Sequence, residues 1–153
     1  MNRRSFLAVI ATVTLMTTSA WAEGKVLLNA DDKGVLIQGY DPGAFFTVKA
    51  PVKGKAELTS EFHGAKYWFH SARNKEQFDT APARFEPQFG GYCAYGVSRG
   101  ALAPIQIDAW QIVDGRLLMQ KNKGIRDDFN ADSPGNLKKA GGNWPKLLEK
   151  KGH

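Results

Sequence analysis

The sequence predicts an α+β fold: a small antiparallel β-sheet of hairpins packed with several short helices in a single domain. Three observations predict it. Two-residue hairpin turns are signalled at His63-Gly64 and at Asp114-Gly115, each between short runs rich in apolar residues. Helix starts are signalled at Ser71 and Ser133, where a hydroxyl stands ahead of a helical pattern. Sixteen glycines and seven prolines in 153 residues interrupt regular structure too often for a helical bundle.

Residues 1–22 read as a cleaved signal peptide. Arg3-Arg4 form the basic start, Phe6 to Thr18 an apolar stretch shorter than a membrane span, and Ala20-Trp21-Ala22 the small-residue cleavage site. The segment Asn2-Arg3-Arg4-Ser5-Phe6-Leu7 also resembles a twin-arginine signal, departing from it at Asn2 and Ala8. The mature domain is then 23–153, with no internal repeat and no linker legible along it, and no transmembrane segment expected in it.

Within that domain, Val26 to Asn29 and Val35 to Gln38 flank the turn Asp31-Asp32-Lys33-Gly34 as a first small hairpin or pair of edge segments. A second turn, Gly39-Tyr40-Asp41-Pro42-Gly43, leads into the apolar chain Ala44 to Val48. Across His63-Gly64 the register pairs Phe62 with Ala65, Glu61 with Lys66, Ser60 with Tyr67, Thr59 with Trp68, Leu58 with Phe69 and Glu57 with His70. Alternation puts Leu58, Ser60, Phe62, Ala65, Tyr67 and Phe69 on the core face, and Trp68 and His70 on the wet one.

Ser71 caps a helix carrying Phe78, and Pro82 to Phe89 gives a further helical turn stopped by Gly90-Gly91. The hairpin at Asp114-Gly115 pairs Val113 with Arg116 through Trp110 with Met119, its core face being Trp110, Ile112, Leu117 and Met119. A helix around Ile125 to Asn130 follows. The last helix starts with Ser133 as N-cap and Pro134 at its first position, and Gly141-Gly142 are expected to end it. Trp144 and Leu147 would cover the core beyond that break.

Charge narrows the partners. Beyond the leader there are 19 basic and 15 acidic residues, and residues 116–153 hold nine basic against four acidic, so the positive balance sits in the C-terminal part. That part would be the surface attractive to anions. No nucleic-acid partner is expected, because the aromatics do not interleave with the basic residues. One cysteine excludes an intramolecular disulfide framework and a multi-thiolate zinc site. No nucleophile elbow, phosphate-binding loop, zinc-protease or dinucleotide motif is present, so the chain does not read as an enzyme.

The residues that remain as chemistry are few. Cys93 lies in Gly90-Gly91-Tyr92-Cys93-Ala94-Tyr95-Gly96, either buried as a small hydrophobe or used as a metal ligand or redox thiol. His70 at the strand end is either a surface ion-pair partner of Glu57 or a ligand. Asp41 before Pro42 is a turn-former or an oxygen ligand. His63 belongs to a turn that needs positive φ, and Met119 is either core packing against Trp110 or a soft ligand.

The sequence Gly39-Tyr40-Asp41-Pro42, then Tyr67-x-Phe69, Ser71, Phe78, Phe85-x-Pro87-Gln88, Gly90-Gly91-Tyr92-Cys93-Ala94-Tyr95-Gly96, Trp110-x-Ile112-Val113-Asp114-Gly115 and Trp144-Pro145, resembles the small exported bacterial proteins of the YHS-domain family. The resemblance implies a periplasmic protein with a YHS-like domain and a C-terminal helical extension. It also implies a metal-binding, copper-associated role. Metal-associated members carry an Asp-Pro-x-Cys-Gly-Met motif and a second cysteine. Here the first aligns with Asp41-Pro42-Gly43-Ala44-Phe45 and the second falls near Asn74, so both thiols are absent.

Three readings stay open: a metal-binding accessory protein holding a copper ion through Cys93, Asp41 and His70, a non-catalytic interaction or adaptor module without metal, and a single-thiol redox protein. The partner is correspondingly a metal ion or a periplasmic protein.

Overall fold

A computed structural model describes residues 24–153; the expected leader and cleavage site, residues 1–22, lie outside the described residues. Among the described residues, six α-helices and two antiparallel two-stranded sheets make up a small α+β fold. In order these are α1 (Ala44–Thr47), β1 (Lys55–Phe62), β2 (Ala65–Phe69), α2 (Ala72–Thr80), α3 (Pro82–Phe85), α4 (Ala94–Ser98), β3 (Trp110–Val113), β4 (Arg116–Met119), α5 (Lys123–Asn130) and α6 (Ser133–Lys151). Among the described residues no helix is long and apolar enough to cross a membrane.

Both hairpins form where the turn residues require. His63 and Gly64 adopt φ of 49° and 79°, Asp114 and Gly115 φ of 50° and 72°, the paired left-handed conformations of a tight turn matched to strand twist. The second hairpin has the expected register throughout. In the first, Phe62–Ala65 to Thr59–Trp68 are as expected, but Phe69 then pairs with Lys55 instead of Leu58, so Ala56, Glu57 and Leu58 bulge out. The cause lies at Gly54, whose N–H donates to Gly39 O at 2.8 Å. That bond draws the start of β1 onto the preceding turn, and Thr59 Oγ1 closes the bulge on Ala56 O at 2.6 Å. The expected Glu57–His70 pair is therefore absent, and His70 is freed for another partner.

Four further expectations change. Ala44 to Thr47 is helix α1 and not extended chain. The residue capping α6 is Asp132, whose carboxylate accepts Gly135 N–H at 3.1 Å, one position before Ser133. Leu118, expected off the core face of β4, is buried with Ala94, Phe129 and Leu137, because α4, α5 and α6 cover that side. Helix α6 also runs on through Gly141-Gly142 and Pro145. Two glycines and an internal proline cost several kcal/mol of propensity, about 1 each for glycine and about 3 for proline. Tertiary contact offsets this. Ala140 and Leu147 are buried, and Trp144 packs edge-on to Phe89 with ring centroids 5.9 Å apart. Asn143 Nδ2 donates to the terminal carbonyls of α4, Val97 O at 3.0 Å and Ser98 O at 3.1 Å.

The chain is also built twice, against the expectation of no internal repeat. In the first half Ile37, Gln38 and Gly39 all have positive φ; in the second, Phe89, Gly90 and Gly91 do. Matching bonds close both turns, Gly39 N–H to Leu36 O and Tyr40 N–H to Ile37 O, then Gly91 N–H to Gln88 O and Tyr92 N–H to Phe89 O. Leu36 N–H reaches Lys66 O as Gln88 N–H reaches Leu117 O, and Asp41 N–H reaches Val52 O as Cys93 N–H reaches Ala103 O. Each half then supplies a short helix, a tight hairpin, a side-chain-capped helix (Ser71 for α2, Asn122 for α5) and one buried phenylalanine on that helix, Phe78 and Phe129. The offset is 52 residues at the left-handed turns and 51 from the hairpins onward. Ile37, Phe45, Cys93, Ile105, Leu117 and Met119 form a cluster drawn from both halves, and α6 adds a further cluster over α4.

The two ends of the described chain meet: Val26 N–H donates to His153 O at 3.0 Å and His153 N–H to Val26 O at 3.1 Å.

Candidate functional site

The end of β2 and the start of α2 bring His70 onto the turn that follows Gly39. The left-handed turn lies flat under Trp68; a Cβ at Gly39 would stand 2.6 Å from the indole, so only glycine allows that approach. The turn delivers Asp41 into the interior, where it is 0% exposed.

Its two carboxylate oxygens are fully engaged. Oδ1 accepts Gly43 N–H at 2.8 Å, which is the turn-forming role expected of it. Oδ2 accepts His70 N–H at 3.0 Å and Asn74 Nδ2 at 3.0 Å, and lies 2.5 Å from His70 Nδ1. The His70 side chain is 32% exposed, and among the described residues its Nε2 has no protein partner. This is a buried carboxylate fixing the orientation of a partly exposed imidazole, with Nδ1 turned inward and Nε2 left for an outside group. Asn74 reaches Asp41 because Ser71 Oγ accepts Asn74 N–H at 3.1 Å and starts the helix there. Asn74 is thus the third member of the cluster.

Cys93 takes no part in it. The thiol is 1% exposed, donates to Gln120 Oε1 at 3.3 Å and accepts Lys121 N–H at 3.3 Å. Gln120 also accepts Tyr95 N–H at 3.0 Å, and its own Nε2 is buried with no partner. Met119, fully buried opposite Trp110, packs in the shared core with it. Among the described residues no group of three or more His, Cys, Asp or Glu side chains is placed to hold a metal ion. Of the three candidate ligands that the sequence offers, the structure joins Asp41 to His70 and puts Cys93 in packing, because the thiol occupies in the second half the position that Asp41 occupies in the first.

A second polar cluster lies at the first hairpin turn. His63 stacks on Phe62 with ring centroids 3.8 Å apart, and its Nδ1 is 3.2 Å from Glu86 Oε2. Burial raises Glu86 above the ordinary carboxylate range, partly offset by the His63 hydrogen bond and charge. Tyr67 is raised by burial and by the nearby Glu86 carboxylate. No signal in the sequence links these residues, since they come from the turn, β2 and the end of α3.

The chain has no significant match among protein-family models, curated proteins or solved structures.

Proposed function

We propose that the protein is an exported metal-binding accessory protein, copper being the first candidate, in which His70 is the ligand the chain presents. One observation carries the reading: the 2.5 Å contact between His70 Nδ1 and the fully buried Asp41 carboxylate. Metal-ligating histidines commonly donate their second ring N–H to a carboxylate, which fixes the tautomer and aims the other nitrogen. Imidazole is a good donor for copper. Asp41, already accepting from four groups, supports the ligand instead of being one. Further donors then come from outside this cluster, as in a protein that passes an ion to a partner. The family resemblance and the leader favour the same reading.

The test is titration of purified protein with copper(II) and, under reducing conditions, copper(I), read by His70 ring resonances, electron paramagnetic resonance and calorimetry. His70→Ala should abolish stoichiometric binding, Asp41→Asn should weaken it about 10- to 100-fold, and Cys93→Ser should leave it unchanged. Loss of binding in Cys93→Ser with retention in His70→Ala would overturn the assignment.

The adaptor reading has its own supporting observation. Lys138, Lys139, Lys146 and Lys150 are all exposed on α6, the helix that buries Ala140 and Leu147. It takes precedence if wild-type protein binds no copper in that titration. The redox-thiol reading is disfavoured by the burial of Cys93.

A further inference from the structure

A groove of about 1010 Å³ lies between the first hairpin turn and α6, with Tyr67, Glu86, His63, Phe89, Trp144 and Leu148 among its lining. It is separate from the His70 cluster, none of whose residues lines it. Tyr67 is 1% exposed, lines the groove, and its hydroxyl has no hydrogen-bond partner among the described residues. A phenol in that position either meets water or meets a ligand. The Glu86 carboxylate lines the same groove with its side chain only 22% exposed, and among the described residues the cation-forming group in contact with it, His63, has a side chain 65% exposed. Withdrawing a carboxylate from water is unfavourable without a good counter-charge, and an exposed imidazole on the rim provides little.

We propose that this groove is a binding site for a small organic amine with an apolar body. A primary ammonium carries three N–H donors and no acceptor, so it satisfies Glu86 and the Tyr67 oxygen together. Phe89 and Trp144, edge-on at 5.9 Å, and Leu148 offer an apolar wall for the rest of the molecule, and aromatic faces favour a cation nearby. An organic anion would meet the Glu86 charge, while the Lys25 ammonium that also lines the groove is engaged by Glu149 O at 2.6 Å. A neutral alcohol of the same shape would gain the wall and lose the ion pair.

The experiment uses 2-phenylethylamine as probe, with 2-phenylethanol and phenylacetate for comparison, followed by calorimetry and by the Trp144 indole N–H resonance. The amine should bind saturably and perturb Trp144, and more tightly than the alcohol by about tenfold. Glu86→Gln keeps the side-chain shape and should remove that tenfold preference, while Tyr67→Phe should weaken the amine several-fold; thermal unfolding checks that each variant is folded. Equal affinity for amine and alcohol in the wild type, an unchanged amine affinity in folded Glu86→Gln, or no saturable amine binding would each overturn the proposal. Glu86→Gln leaves the Asp41, His70 and Asn74 cluster untouched, so copper titration of that protein, read at the His70 ring resonances, makes failure here and failure there distinguishable.

Discussion

Cys93 Sγ accepts the backbone N–H of Lys121 at 3.3 Å. The corresponding bond in the first half runs from His70 N–H to Asp41 Oδ2. One anchor is thus a carboxylate and the other a thiol, holding the same pair of segments, the turn after a Gly-Tyr dipeptide and the entrance to a capped helix. The carboxylate also recruits a histidine ring; the thiol recruits only Gln120.

Removing the carboxylate anchor should be costly. Asp41→Ala leaves the N–H groups of Gly43 and His70 and the Asn74 amide without their acceptor, and should cost about 3 kcal/mol or more. His70→Ala removes only the partly exposed ring and should cost about 1–2 kcal/mol. Urea unfolding of both variants measures the difference, and equal losses would contradict the central place given to Asp41.

The thiol should behave as core. A thiol reagent added to folded protein should react slowly, at the rate of opening, and stoichiometrically once denaturant is present, because Cys93 is 1% exposed. Fast labelling under native conditions would mean that the thiol is accessible after all.

At the first hairpin, backbone conformation should matter more than charge. A Cβ at Gly64 would meet only Leu28 and Val26 at 3.8 and 3.9 Å, so space is adequate and the φ of 79° is the obstacle. Gly64→Val should cost about 1–3 kcal/mol, whereas Glu61→Ala or Lys66→Ala should each change stability by less than about 1 kcal/mol. Thermal unfolding distinguishes the two classes, and comparable losses in both would count against the register.

Helix α6 can be improved. Nothing lies within 4 Å of a Cβ at Gly141 or Gly142, and both are exposed. Alanine at either should stabilise by about 0.5–1 kcal/mol. A loss measured by denaturation would show that this part of the helix is not continuous.

Stability should respond to pH at Glu86 in a definite direction. Its carboxyl is raised by burial, so the folded protein holds that proton more tightly than the unfolded chain does. The group's contribution is fully present below its ordinary pKa and is lost as pH rises through the raised one. Glu86→Gln should therefore gain on wild type as the pH climbs above the ordinary carboxylate pKa of about 4. Melting temperatures that diverge the other way would show that the His63 contact outweighs burial.

The hairpins were legible because two-residue turns demand specific residues and because strand period 2 sorts the faces. The bulge at Ala56 to Leu58 was not, since it depends on Gly54 bonding Gly39, a contact between segments, and with it went the correct environment of His70. The continuity of α6 was hidden for the same kind of reason: Gly141-Gly142 and Pro145 speak locally for a stop, and Asn143, Trp144 and Leu147 override them through contacts outside the helix. The duplication left almost no trace in identity. Gly64 and Gly115, Phe78 and Phe129, and the two Gly-Tyr dipeptides recur, while the anchors differ in chemistry, Asp41 against Cys93, and the caps differ as Ser71 against Asn122. Those recurrences are too sparse to mark a repeat without the backbone to align them.

With Val26 and His153 paired backbone to backbone, the described chain is close to a ring. A ring built of two similar arcs has no privileged starting point. Joining the ends by a short linker and opening the chain between the arcs, near Ala81, would place the thiol-anchored arc ahead of the carboxylate-anchored one while keeping the interior contacts of both. The order of the halves along the chain is in that sense a property of where the ring is cut.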